Sequence, residues 1–352
     1  MAEYFILVGD VGGTNLRYAL YRSREEGDVL VKAESFLSED FRKKGVVEVG
    51  GEDGEKNVVC SIREFLVGQP KPDLVVLCVS GVVKGNRVVA SCAFGDYLTD
   101  TLISETLNIS EVYILNDIQG AGYGLLTLKE DEDIEINGGV KDHNGPIVCM
   151  SIGTGIGMCY MTKSGHNYSV HCTEGGFTDM SPKCEEDLEL CLYLKNKTNI
   201  LNFAHSRFIS GGKIHNIYEW LREKYPELKN QEFDEEFKRS HRMKAKLLLE
   251  SGYGERDELA KRTTQIWERI IGYFIGNLFV NFIPSGGIYI IGGVISKNFA
   301  YLSPPQYILE GFYKGVDKIL HDEMRRIPIY IVKPEELGIR GTLYFARQLK
   351  FS

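Results

Sequence analysis

The sequence predicts an α/β protein of two lobes with a cleft between them, and three observations carry this. The chain's 352 residues exceed what one ordinary hydrophobic core organises. A strand, glycine turn, strand pattern opens the chain at "ILVGDVGGTNLRYALYR" (residues 6–22) and returns at "PIVCMSIGTGIGMCYM" (residues 146–161). Each copy is followed by apolar runs and amphipathic stretches of the kind that pack as strands and helices in layered α/β folds.

In chain order, residues 4–22 read as two strands around a loop. "DLVVLCVSG" (73–81) is a continuous apolar run, as expected of a strand buried on both faces. "EVYILND" (111–117) is another strand, ending at Asn116 and Asp117, and "IQGAGYGLLTL" after it reads as a helix rich in small residues. "KEDEDIEINGGVKDHNGP" (129–146) reads as a solvated acidic loop. After the second strand pair come amphipathic helices at "CEEDLELCLYLKNKTN" and "KIHNIYEWLREKY". A long helix from Glu255 to Phe282 places Ile266, Ile270, Phe274, Leu278 and Phe282 at four-residue spacing, with Gly272 and Gly276 permitting a close backbone neighbour. Strand "GIYII", Gly292 and Gly293, strand "IPIYIVK" and a closing helix from Gly338 complete the chain. The expected domains are a small one of residues 1–115 with 338–352, and a large one of residues 116–337.

Composition narrows the function. Hydrophobic residues make up 43% and charged residues 26%, as in globular proteins. With 41 basic against 49 acidic residues the net charge is −8, which argues against a nucleic-acid partner. The N-terminus lacks a signal-peptide pattern, and "IIGYFIGNLFVNFIP" is broken by Asn277 and Asn281, so no membrane association is expected. Eight cysteines with no Cys-x-x-Cys pair read as reduced thiols of a cytoplasmic protein. The seven histidines show no zinc-site spacing.

Three glycine-rich turns stand out: "GDVGGTN" (9–15), "SIGTGIG" (151–157) and "IIGGVIS" (290–296). None has the spacing of a dinucleotide fingerprint or a Walker loop. The first two lie between strands, where a hairpin offers several backbone N–H groups to one anion, and Thr14 and Thr154 add hydroxyls. Each alone reads equally well as a bare hairpin turn. Together, with Asp10 at the end of an apolar strand, they point to the phosphates of ATP with Asp10 holding Mg2+. Asp117 stands where a carboxylate would accept the proton of an attacking alcohol, though Asn116 and Asp117 alone read better as a helix cap. In "EGGFTDMSP" (174–182), Glu174 could take two neighbouring hydroxyls; the alternative is an ordinary loop with a structural Asp179.

The order Asp-x-Gly-Gly-Thr-Asn (10–15), Leu-Asn-Asp (115–117), Gly-Thr-Gly-x-Gly (153–157), Glu-Gly-Gly (174–176) and Gly-Gly (292–293) resembles the bacterial-type (group A) glucokinases. These belong to the hexokinase, actin and heat-shock-chaperone ATPase superfamily. "FISGGKIHNIY" is similar to that family's Leu-Ser-Gly-x-Gly segment, and the resemblance runs through nearly the whole chain. It implies a two-lobed actin-like ATPase (ribonuclease H-like) fold that closes over its substrates. It also implies ATP-dependent phosphorylation of glucose, or a related hexose, at its 6-hydroxyl, the first step of glycolysis. Asp117 would be the base, and Asn116 and Glu174 would bind sugar hydroxyls. Asp10, Gly12, Gly13, Thr14 and Asn15, with Gly153, Thr154 and Gly155, would hold the phosphates and Mg2+; Gly292 and Gly293 would pass beside the adenosine. A homodimer is also suggested.

The sequence departs from this pattern at the sugar. Phe177 stands where the family usually has a histidine, Ser206 where it has a second glutamate, and Ser91 and Cys92 where it has Thr-Asn. Losing hydroxyl partners should weaken or broaden selection, so an active kinase with altered sugar preference is expected. The alternatives are a kinase of another hexose or amino sugar, and a non-catalytic sugar sensor, against which the retained Asp117 beside Asn116 speaks.

Overall fold

A computed structural model describes residues 2–41, 58–91, 98–165, 167–302 and 305–351. The chain divides into two compact units, Met1–Lys129 with Glu336–Ser352, and Glu130–Glu335.

In the first unit, β1 (Tyr4–Val11) and β2 (Asn15–Arg24) flank the opening loop, followed by β3 (Gly27–Leu37) and β4 (Leu74–Val79). A small hairpin, β5 (Val82–Lys84) and β6 (Arg87–Ala90), precedes β7 (Val112–Asn116). The sheet order is β3-β2-β1-β4-β7, with β1 to β3 antiparallel and β4 and β7 parallel to β1. All six residues of β4 are buried, as its unbroken apolar run requires. The helices are α1 (Val58–Phe65), α2 (Asp100–Leu107) and α3 (Asp117–Leu125), together with the closing helix Leu337–Phe351. The small residues of α3 serve this last packing. A Cβ on Gly341 would run into the backbone of Gly120 and Gly124, and one on Gly124 into Leu337.

The second unit holds β8 (Asp133–Glu135), β9 (Ile147–Ile152), β10 (Ile156–Ser164), β11 (Asn167–Thr173), β12 (Gly287–Ile291) and β13 (Ile329–Val332). Their order is β11-β10-β9-β12-β13-β8. Strands β9 to β11 are antiparallel, and β12 and β13 are parallel to the β9 side of the sheet. Apart from β8, order and directions repeat those of the first sheet. This is the duplication that the two glycine hairpins predict, and it is the arrangement of the actin-like ATPase fold.

Helices α4 (Glu185–Thr198), α5 (Ser206–Ile209), α6 (His215–Lys224), α7 (Gln231–Arg239), α8 (Lys244–Tyr253), α9 (Glu258–Phe282), α10 (Gly293–Lys297), α11 (Gln306–Lys314) and α12 (His321–Arg326) complete the unit. Ile266, Ile270, Phe274 and Leu278 of α9 are buried in the core, with Phe282 half-buried. A Cβ on Gly272 would collide with the backbone of Ile308 and Phe312, so α11 packs close, as the α9 glycines predict.

Two elements differ from expectation. Helix α9 begins at Glu258 rather than Glu255, because the Asp257 carboxylate accepts from Ala260 N at 2.7 Å and caps it there. The acidic stretch expected to be loop contributes β8, which pairs with β13 through its backbone and so tolerates charged side chains. No helix among the described residues is long and apolar enough to cross a membrane.

Candidate active site

The strand register of the first unit sets Asp10 between Arg17 on β2 and Cys78 on β4. Arg17 Nη1 lies 3.4 Å from Asp10 Oδ2, and the Cys78 thiol donates to Oδ1 at 3.8 Å. Only 21% of the Asp10 side chain is exposed. Burial raises its pKa, with Arg17 pulling the other way. Beyond β1 the chain turns tightly: Gly12 N donates to Asn15 O at 2.9 Å, and Ser38 donates to Gly12 O and Thr14 O. The Gly12 amide is thus used by the turn itself. Among the described residues no partner is found for the N–H groups of Gly13 and Thr14.

Asn116 caps α3. Its Oδ1 accepts from Ile118 N at 3.0 Å, and its Nδ2 donates to Gly81 O at 2.6 Å. Asp117 Oδ1 accepts from the same amide at 2.8 Å. The cap reading is therefore what the geometry displays, and it fixes the Asp117 carboxylate at the C-terminal end of β7. Ser91 donates to Ser80 O at 2.8 Å, and Cys92 lies outside the described residues.

In the second unit the β9–β10 loop is braced from below. Gly211 N donates to Gly153 O at 2.8 Å, and Gly212 N to Thr154 O at 3.3 Å. A Cβ on Gly211 would stand 2.9 Å from Val294, whereas Cβ atoms on Gly153 and Gly155 would meet open space. Gly292 has φ +105°, and a Cβ there would lie 2.6 Å from Ile152 O. The structure thus brings the 153–155 loop together with Gly292, Gly293 and the "ISGG" segment.

Glu174 and Phe177 belong to a short turn, Phe177 N donating to Glu174 O at 3.0 Å. Glu174 is exposed, and Phe177 is 63% exposed. The turn is anchored to the residues before α5. Thr178 O accepts from His205 N at 3.0 Å and lies 2.9 Å from its Nδ1, which therefore carries the ring proton. His205 is fully buried against the Phe274 ring, and desolvation lowers its pKa to about 4. Ser206 follows directly. Asp179 accepts from Phe203 N at 3.0 Å, the structural role allowed for it.

A family model described as Glucokinase matches residues 7–349. The chain belongs to the glucokinase family. It is 28% identical over 359 aligned positions to a glucokinase of Nostoc punctiforme, covering 98% of this chain and 99% of that one. A Synechocystis glucokinase is 26% identical, with 97% and 98% covered. Among solved structures, a glucokinase from an Antarctic psychrotroph matches at a TM-score of 0.76 and 19% identity, covering 98% and 99% of the two chains. A Balamuthia mandrillaris glucokinase in complex with glucose matches at 0.75 and 17%, covering 98% and 94%. A ROK family glucokinase from Streptomyces griseus, in complex with glucose and AMPPNP, matches at 0.64 and 15%, covering 98% and 99%. At these identities the structures establish the shared fold.

Glucokinase membership makes the chain a hexose kinase with ATP as phosphoryl donor. Three residues near the candidate site were not singled out from the sequence. Cys78 reads as an inert core thiol, yet it touches Asp10. Arg17 faces Asp10 only once the hairpin register is known, and His205 lies in no motif. For Arg17 alone, alternation across a seven-residue hairpin separation could have suggested the pairing.

Proposed function

We propose that this glucokinase-family chain transfers the γ-phosphoryl group of Mg·ATP to the 6-hydroxyl of glucose, with Asp117 as general base. The observation that carries it is the placement of two carboxylates around one buried strand. Asp10 ends β1 on one side of β4 and Asp117 follows β7 on the other, and both add to burial in raising the pKa of Cys78 between them. One acid would meet the metal that neutralises the phosphates. The other would accept the proton that the hydroxyl loses as it attacks phosphorus.

The residues present fit a hard cation at Asp10. Its carboxylate is desolvated, with a guanidinium at 3.4 Å and a thiol as its hydrogen-bond partners, so a divalent ion would favour the charged form. The amides of Gly13 and Thr14, beside Asn15, and those of Thr154 and Gly155, after Gly153, are donors for phosphate oxygens. Gly292 and Gly293 would leave room for the adenosine. Glu174 would take sugar hydroxyls, and the remaining N–H of Asn116 a further one. The products are ADP and glucose 6-phosphate, and the activity suits a cytoplasmic first step of glycolysis.

A second reading, a kinase of another hexose or amino sugar, is favoured by one observation. The exposed ring of Phe177 beside Glu174 offers an apolar surface and no hydrogen-bond donor. The test of the mechanism is Asp117→Asn, assayed for glucose binding by calorimetry and for turnover. Binding should persist while kcat falls roughly 10²–10⁴-fold; a variant with full kcat would overturn Asp117 as base.

A further inference from the structure

The edge of the second sheet sets two thiols directly opposite each other. Cys159 on β10 pairs with Cys172 on β11, and on its other side with Cys149 on β9. The β10–β11 hairpin closes at Ser164 and Asn167, which in a two-residue loop exchange both backbone hydrogen bonds. Pairing then alternates without a bulge, so Cys159 and Cys172, five steps along, form a non-hydrogen-bonded pair. Cα atoms at such positions lie about 4.5 Å apart with side chains on the same face, inside the window of roughly 4.4–6.8 Å that a disulfide spans. Cys172 is exposed on the edge strand, and Cys159 is buried.

We propose that Cys172 and Cys159 form an oxidation site, closing to a reversible cross-strand disulfide when the protein meets a hydroperoxide. Cys172, the accessible thiol, is attacked first. Its sulfur takes the terminal oxygen of the hydroperoxide, the O–O bond breaks, and the alcohol leaves with the thiol proton, giving a sulfenic acid. Cys159 sulfur then attacks Cys172 sulfur. The S–S bond forms, the S–O bond breaks, and hydroxide leaves as water with the Cys159 proton. Two thiols lose two electrons in all, and the hydroperoxide is reduced to alcohol and water. The order is set by the surroundings: Cys159 donates its thiol proton to Cys149 and is buried, and both hold it as the neutral thiol, so the accessible Cys172 reacts first and Cys159 serves as the resolving group.

The site sits one pair from the segment that carries Glu174. Met158 pairs with Thr173 next along the ladder, Thr173 Oγ1 accepts from Gly175 N at 3.1 Å, and a Cβ on Gly175 would run into Met158 Sδ. A disulfide would therefore clamp the end of the hairpin from which Glu174 emerges. Its expected effect is a change in KM for glucose with kcat little altered; this consequence rests on the hexose-kinase reading, whereas the cross-link itself does not.

The experiment is hydrogen peroxide treatment of the full chain, followed by non-reducing peptide mapping and glucose kinetics. Unsubstituted protein and Cys149→Ser should yield a Cys159–Cys172 cross-linked peptide that dithiothreitol removes, and Cys172→Ser should yield none. Overoxidation of Cys172 without a cross-link, or a Cys149–Cys159 cross-link in its place, would overturn the site. A cross-link that leaves the glucose KM unchanged would overturn its coupling to Glu174. If Cys172→Ser lacks kinase activity altogether, peptide mapping of that variant still decides the site.

Discussion

Asp117 and Glu174 are both carboxylates that follow a strand, yet the two units hold them differently. Asp117 is fixed by the Ile118 amide beside a buried Asn116 that caps the same helix. Asp10 in that unit is likewise held between Arg17 and Cys78. Glu174 is exposed, and among the described residues its carboxylate has no hydrogen bond or ion pair. Its neighbour Phe177 is mostly in solvent. The groups proposed for proton and phosphoryl chemistry are thus set by the fold. Glu174 and Phe177, proposed to face the sugar, instead stand on a turn whose side chains the core does not constrain. Sequence can change at Glu174 or Phe177 without unfolding the protein, because neither side chain is packed in the core.

Paired variants sharpen this contrast most. Asp10→Asn should lower kcat roughly 10²–10³-fold at saturating glucose, the loss seen when one electrostatic contact to a transition state is removed. Glu174→Gln should instead raise KM for glucose with a smaller change in kcat. Steady-state kinetics on both variants separates the two, and a kcat effect of equal size at Glu174 would erase the distinction drawn here.

The next effect is on stability against pH. His205 is buried and neutral, with its folded pKa lowered to about 4 from an ordinary 6.5. The unfolded chain binds the proton first as pH falls, so the His205 contribution is full above the ordinary value and is lost between 6.5 and 4. The loss amounts to about 3 kcal/mol. Glu268, raised to about 7 by burial while accepting from Tyr253, acts oppositely: its contribution is present below pH 4.5 and is lost as pH rises towards 7. Urea midpoints at pH 5 and 7 for His205→Gln and Glu268→Gln should therefore shift in opposite senses relative to the parent. Shifts of the same sign would contradict the burial argument.

Smaller changes follow. Gly292→Ala places a Cβ 2.6 Å from Ile152 O at φ +105°, and should destabilise by about 1–3 kcal/mol in thermal melts. Phe177→Ala should move stability by less than about 0.5 kcal/mol, because the ring is exposed, while altering relative activity among sugars.

Much of this was legible in the sequence. The continuous run of β4, the α9 spacing and the paired glycine hairpins each declare their element, because burial on both faces, a helical stripe and a tight turn need distinct residue patterns. What escaped depends on register or on partners distant in the chain. Cys78 meets Asp10 only through a parallel pairing, and His205 meets Thr178 only through the fold. The strand Asp133–Glu135 was hidden because an edge strand needs backbone, not apolar side chains. The Asn116 cap and the proposed base share one short motif, and sequence alone cannot separate two roles that the same atoms can fill.

ATP turnover with Mg2+ across glucose, mannose, fructose, galactose, glucosamine and N-acetylglucosamine, with a no-sugar control, separates a hexose kinase from a sugar sensor. ADP should form only when a sugar is present, with glucose accepted and a 6-phosphate produced. Turnover independent of sugar, or ATP binding without turnover on any of them, would contradict the hexose-kinase reading.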